Sequence, residues 1–100
     1  MNDIPFILLV QARAKPEFLG EIAEAAAATL KLTLKEAGCM ALYQTTQAAD
    51  PNHLCFFEYF TSEAAHQEHM TQPYTQAFFR LLEGKLLSEP VIQKLNLRNG

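Results

Sequence analysis

The 100-residue chain has no tryptophan, only two cysteines, three histidines and four glycines. Several things follow from what is missing. It contains no G-x-G-x-x-G, G-x-x-x-x-G-K-[ST] or G-x-S-x-G, so no dinucleotide fingerprint, phosphate loop or hydrolase elbow is encoded. There is no C-x-x-C, the spacing of dithiol redox sites. Eight Lys and Arg stand against eleven Asp and Glu, for a net charge of −3, and no basic patch stands out, which argues against nucleic acid as a partner. The apolar stretch Ile4 to Val10 falls far short of the roughly 20 residues of a membrane span. No positively charged segment precedes it, so neither an anchor nor a signal peptide is expected, and a cytoplasmic location is.

What is present is 49% hydrophobic, enough for a core in one domain spanning residues 1–100. A domain this short gains from association, because it buries a modest fraction of its surface alone. Ile4 to Ala14 reads as a largely buried first strand. Pro16 to Ala37 reads as one long helix, with Phe18, Ile22, Ala26, Leu30 and Leu34 on one stripe and Gly38 as its C-terminal cap. Cys39 to Ala48 and His53 to Thr61 read as the arms of a hairpin turning near Asp50-Pro51. Cys55 then falls opposite about Thr46, on the order of 20 Å along the sheet from the level of Cys39, so no disulfide is expected. Ser62 or Thr61 caps a helix running to about Met70. Pro73 starts another, with Ala77, Phe78, Leu81 and Leu82 as its apolar face, and Val91 to Leu97 reads as a fourth strand. The order β-α-β-β-α-β predicts an α+β, ferredoxin-like fold with an antiparallel sheet. The third strand is aromatic on both faces, so both need cover, and a second subunit supplies the face the helices leave open.

His69 shares a helix face with Ala65 and is expected to point inward, where a histidine suits proton transfer near neutral pH. Tyr74 lies just past the Gln72-Pro73 break. In an unbroken helix the two would diverge by about 140°, so the break is expected to turn both toward one pocket mouth. The competing reading makes His69 a helix-end residue bonded to a carbonyl and Tyr74 a packing residue. Glu58, between Phe57 and Tyr59, must be solvated, paired or raised in pKa; it can orient His69 or contact substrate, or equally form a structural ion pair. Tyr43, Phe57, Tyr59 and Phe78, with Phe56, Phe60 and Phe79, are candidates for an apolar cavity or simply for core. His66 and His69 form an H-x-x-H beside Glu63 and Glu68, a spacing that can serve a metal, but no third ligand has a recognisable spacing. No metal site is assigned; His66 is expected to face solvent.

"KEAGCMALYQ" followed by "HLCFFEYFTSEAAHQEHMTQPYTQAFFRLL" resembles the antibiotic-biosynthesis-monooxygenase domain family. Glu36, Gly38 and Cys39 match an acidic residue and Gly-Cys entering the second strand. Glu58 and Phe60 match a Glu two residues before an aromatic, and His69 matches the helix histidine. The resemblance implies a homodimeric α/β barrel of two facing four-stranded sheets, with a pocket between sheet and helices in each subunit. It includes cofactor-free oxygenases of quinols and phenols, haem-degrading enzymes and an isomerase of a phosphorylated signal molecule. Departures bear on the choice. The family's Pro-His is Pro73-Tyr74 here, a poor base, and no tryptophan is available for a haem-degrading pocket. The reading that results is a cofactor-free monooxygenase using O₂ on a small aromatic hydroquinone or polyphenol. His69 is its base, Glu58 the orienter of His69 or a substrate contact, and Tyr74 and Tyr43 hydrogen-bond donors. The alternatives are a keto-sugar isomerase, which would need Arg13, Lys35 or Arg80 for an anionic group, and a non-catalytic small-ligand-binding dimer.

Overall fold

The first strand of the chain is paired on both sides. In the computed structural model, which describes residues 4–99, β1 (Phe6–Arg13) lies between β3 (Asp50–Phe60) and β4 (Val91–Leu95), and β2 (Cys39–Gln47) pairs the far edge of β3. The order β2-β3-β1-β4, all antiparallel, is the ferredoxin-like α+β sheet. The helices are α1 (Leu19–Thr33), α2 (Glu63–Met70) and α3 (Pro73–Leu82). Among the described residues none is long and apolar enough to cross a membrane.

Several boundaries differ from the expected ones. The long first helix is a 3₁₀ turn, Pro16–Phe18, followed by α1, which stops at Thr33. Beyond it, Lys35 and Glu36 donate to the carbonyls of Leu32 and Thr33, a tightened 3₁₀-like exit. Leu34 consequently leaves the apolar stripe and is exposed. Gly38 is therefore not the cap. It sits where the entry to β2 passes α2, and a Cβ there would lie 2.4 Å from Ala65 Cβ, so only glycine permits the approach. The hairpin turns at Ala48-Ala49, with Gln47 opposite Asp50, so Pro51 falls inside β3 and Cys55 faces Thr45. Both cysteines are free. Ser62 caps α2, its side chain accepting from the Ala65 N–H at 3.1 Å. Gly84, at φ +75°, turns the chain after α3 in a conformation that favours glycine.

The alternation of the strands sorts side chains between two faces. Phe6, Leu8 and Val10 of β1 and Leu54, Phe56 and Glu58 of β3 point to the side where all three helices lie. Ala14, Ile22 and Leu54 form the buried centre there, with Phe18, Phe56, Phe78 and Leu81 packed on it. Ile7, Leu9, Phe57, Tyr59 and Tyr43 take the opposite face, which carries no helix. Tyr43 and Phe57, directly opposed on β2 and β3, stack there at 6.3 Å between ring centroids, and Tyr43 is 61% exposed.

Candidate active site

The turn between α1 and β2 carries Glu36, and α2 carries His69 on the face it turns toward the sheet. His69 is 6% exposed. Its Nδ1 lies 2.9 Å from Glu36 Oε2. The same carboxylate oxygen accepts a hydrogen bond from the Tyr74 hydroxyl. A carboxylate only accepts, so Nδ1 bears the hydrogen, and in the neutral ring the lone pair falls on Nε2. Among the described residues Nε2 has no partner. Burial, followed by the bond to Glu36, pushes the Tyr74 phenol up to about 12, so it remains a donor at neutral pH. Phe60, fully buried beneath α2, packs its ring 5.1 Å from that of His69.

His69 forms part of the wall of a cavity of about 310 Å³ between the sheet and the helices. The strands contribute Leu8, Val10 and Phe56, and the helices Leu30, Phe78 and Phe79. Such a mostly apolar cleft with a few polar groups is the usual form of a small-molecule site. Among the described residues no lysine or arginine lines it. Lys94 comes near only by resting over the Phe6 ring, 5.2 Å from its centroid. The polar wall groups are Glu58, His66, His69, Gln44 and three threonines. Gln44 already donates to the Ala26 carbonyl at 2.8 Å.

Glu58 has no hydrogen-bond or ion-pair partner among the described residues. Burial raises its pKa, and the neighbouring His69 partly opposes that rise. His66 is shifted the other way: burial lowers its pKa, and His69 adds to the effect.

The structure brings some of the expected residues together and separates others. His69, Glu58 and Phe78 line the cavity. Tyr43, Phe57 and Tyr59 do not, because alternation from Glu58 places them on the opposite sheet face. Tyr74 does not line it either. The proline break turns Tyr74 and His69 toward one point, but that point is Glu36, not a pocket mouth. The carboxylate holding His69 is thus Glu36, with Glu58 left free on the cavity wall. His66, expected in solvent, is half-buried against Phe6 and Phe60 and lines the cavity. The cavity face of α3 is Thr75, Phe78, Phe79 and Leu82, while Ala77 is exposed. Thr75 is not among the residues expected from the sequence, although its i, i+3, i+4, i+7 relation to those residues marks it as a polar member of the apolar stripe. Glu36 carried no spacing signal toward residue 69, and only the family pattern singled it out.

The sequence matches the family Antibiotic biosynthesis monooxygenase over residues 5–81, and the chain belongs to that family. The match holds Glu36, Glu58, His69 and Tyr74 alike. Comparison with curated proteins finds no match. Among solved structures, a conserved protein from Methanosarcina mazei Go1 is 22% identical with a TM-score of 0.88, covering 93% of this chain and 92% of its own. A protein from Pseudomonas aeruginosa is 20% identical at TM-score 0.90, with 99% of each chain covered. A structure described as an antibiotic biosynthesis monooxygenase is 18% identical at TM-score 0.89, over 94% of this chain and 99% of its own. At these identities the likeness establishes the fold.

Proposed function

We propose that this protein is a cofactor-free monooxygenase that oxidises an uncharged hydroquinone or polyphenol with O₂, acting as a homodimer in the cytoplasm. The observation that carries this reading is His69, on the wall of an apolar cavity and held by Glu36 at its Nδ1. Family membership and the monooxygenase names among the structural neighbours support it. The dimer would cover the aromatic sheet face that carries Tyr43, Phe57 and Tyr59.

The chemistry needs a base, a dry site and placed donors. His69 Nε2 takes a phenolic proton, and Glu36 stabilises the imidazolium that forms. The phenolate then passes one electron to O₂, and the resulting radical pair couples at a ring carbon. The proton on His69 goes to the peroxide so formed. The hydrogen on that ring carbon leaves as a proton while the O–O bond cleaves, the departing hydroxide takes up a proton to leave as water, and a carbonyl remains. One oxygen atom ends in the product and the other in water, and the substrate supplies the electrons. Glu58 is a substrate contact in this scheme. Arg13, Lys35 and Arg80, the residues an isomerase of an anionic keto sugar would require, do not line the cavity, which weighs against that alternative.

The test is oxygen uptake with a panel of hydroquinones and polyphenols, wild type against His69→Ala. Uptake above autoxidation that disappears in the variant supports the reading. Uptake equal to background with every member overturns it and leaves a binding protein. Light scattering after gel filtration checks the dimer, which Phe57→Glu is expected to split.

A further inference from the structure

Three threonines line the cavity: Thr29, Thr33 and Thr75. The first two donate to carbonyls of their own helix, Thr29 to Ala25 at 2.8 Å and Thr33 to Thr29 at 3.0 Å, the usual resting state of a helical hydroxyl. Thr75 is 2% exposed, and among the described residues its Oγ has no hydrogen-bond partner. It is the third residue of α3, so the carbonyl four residues behind it, that of Thr71, lies outside the helix, and the Gln72 carbonyl takes the Gln76 N–H instead. A buried hydroxyl left unbonded is destabilising, so its presence on a cavity wall points to a ligand.

The surroundings of Thr75 favour an electron-rich ligand atom. α3 begins with Pro73, has no acidic residue in its first turn and no side-chain cap. Its positive end therefore receives no counter-charge from its own first turn and favours an oxygen bearing partial negative charge. His69, three residues before the Gln72-Pro73 break, lines the same cavity, and among the described residues its Nε2 has no partner.

We propose that Thr75 Oγ, at the open N-terminus of α3, donates a hydrogen bond to a second oxygen of the substrate, so that the cavity selects an uncharged ring system bearing two oxygen substituents. One oxygen gives its proton to His69; the other is held by Thr75. This inference rests on the cavity being the substrate site proposed above. It adds a specificity-determining residue and a requirement on the substrate, because a ring with one oxygen leaves Thr75 unbonded and loses the preference.

The experiment compares wild type, Thr75→Val and Thr75→Ser for anaerobic binding of 1,4-dihydroxynaphthalene and of 1-naphthol by calorimetry. Wild type is expected to bind the diol roughly tenfold more tightly than the mono-ol, the effect of about one net hydrogen bond. Thr75→Val should bind the two alike, and Thr75→Ser should restore the preference. Thr75→Val is also expected to raise the melting temperature of the ligand-free protein, since it removes an unbonded buried hydroxyl; a hydroxyl with a purely structural role would make it fall. A diol preference that survives in Thr75→Val overturns the proposal, as does a lowered melting temperature or failure of the diol to bind wild type. Aerobic oxygen uptake on the same samples separates the two claims. A preference lost in Thr75→Val with no uptake keeps Thr75 and sinks the oxygenase. Uptake with the preference unchanged does the reverse.

Discussion

His69 and Glu36 stand 33 residues apart in the chain and 2.9 Å apart in the fold. That contact converts a helix-end histidine into a ring with an assigned hydrogen on Nδ1 and, in its neutral form, a lone pair on Nε2. Tyr74 binds the same carboxylate oxygen, so the turn after α1, the end of α2 and the start of α3 are tied at one atom.

Removing that carboxylate should both unlock the ring and strand two donors. Glu36→Ala is expected to lose about 1–3 kcal/mol of stability, from the unsatisfied Nδ1–H and phenol. Glu36→Gln should fold better yet slow turnover by roughly tenfold or more, within the ~10²–10⁴ a positioned acid–base group supplies. Nitrogen NMR of the ring is the direct check: wild type should show the Nδ1–H form, and Glu36→Ala a mixture of tautomers. An unchanged spectrum would remove Glu36 from the positioning role.

Tyr74 makes a prediction at high pH. Its phenol is raised from 10.0 to about 12 in the fold, by burial first and the Glu36 bond second. A raised value means that the folded state holds the proton more tightly, so this stabilisation is complete below pH 10 and is lost as the pH rises toward about 12. Tyr74→Phe should be less stable at pH 7 by about 1 kcal/mol. The gap should close across that alkaline window, as read from denaturant midpoints at stepped pH.

Glu58 predicts the opposite trade. Burial raises its pKa above the ordinary 4.5, so the folded state binds the proton more tightly than the unfolded one. The folded state is then penalised as the pH climbs from about 4.5 through the raised value, and the full penalty stands above it. Glu58→Gln should melt higher than wild type at pH 7 to 8, with the difference shrinking as the pH falls toward 4.5. The same substitution is expected to weaken substrate binding. Melting curves that coincide at every pH would mean that Glu58 is solvated rather than buried.

Gly38 tests the packing of α2 on the strand entry. Gly38→Ala puts a methyl 2.4 Å from Ala65 Cβ, and displacing α2 should cost about 1–3 kcal/mol. His69 rides on α2, so activity should fall as well. The double variant Gly38→Ala, Ala65→Gly relieves the clash, and a double-mutant cycle should show a coupling of at least about 0.5 kcal/mol. Additive losses would mean that the two positions do not meet.

Much of this architecture is legible in the residues. The β-branched and aromatic runs mark the strands, the Gln72-Pro73 break separates α2 from α3, and Ser62 announces the start of α2. The end of α1 was harder to read. Leu34 continues the apolar period on paper, but Gly38 must meet Ala65 and Cys39 must enter β2, and the chain leaves the helix early to do both. Half of the site was similarly hidden. Glu58 and Tyr59 are neighbours, and alternation guarantees that they face opposite ways, but with aromatics on both faces nothing local says which face the helices cover. Tyr43, Phe57 and Tyr59 therefore looked as suitable for a cavity as Phe56 and Phe78.

The sequence by itself determined the elements, their order and the inward direction of His69, because propensity, period and capping act within a few residues. Tertiary structure decided that Glu36 holds His69, that Tyr74 serves the same carboxylate, and that Thr75, unlike Thr29 and Thr33, has no partner among the described residues. Those outcomes depend on strand register and on how three helices seat on one sheet face. Contacts between distant segments are set by that packing, and no local period encodes it.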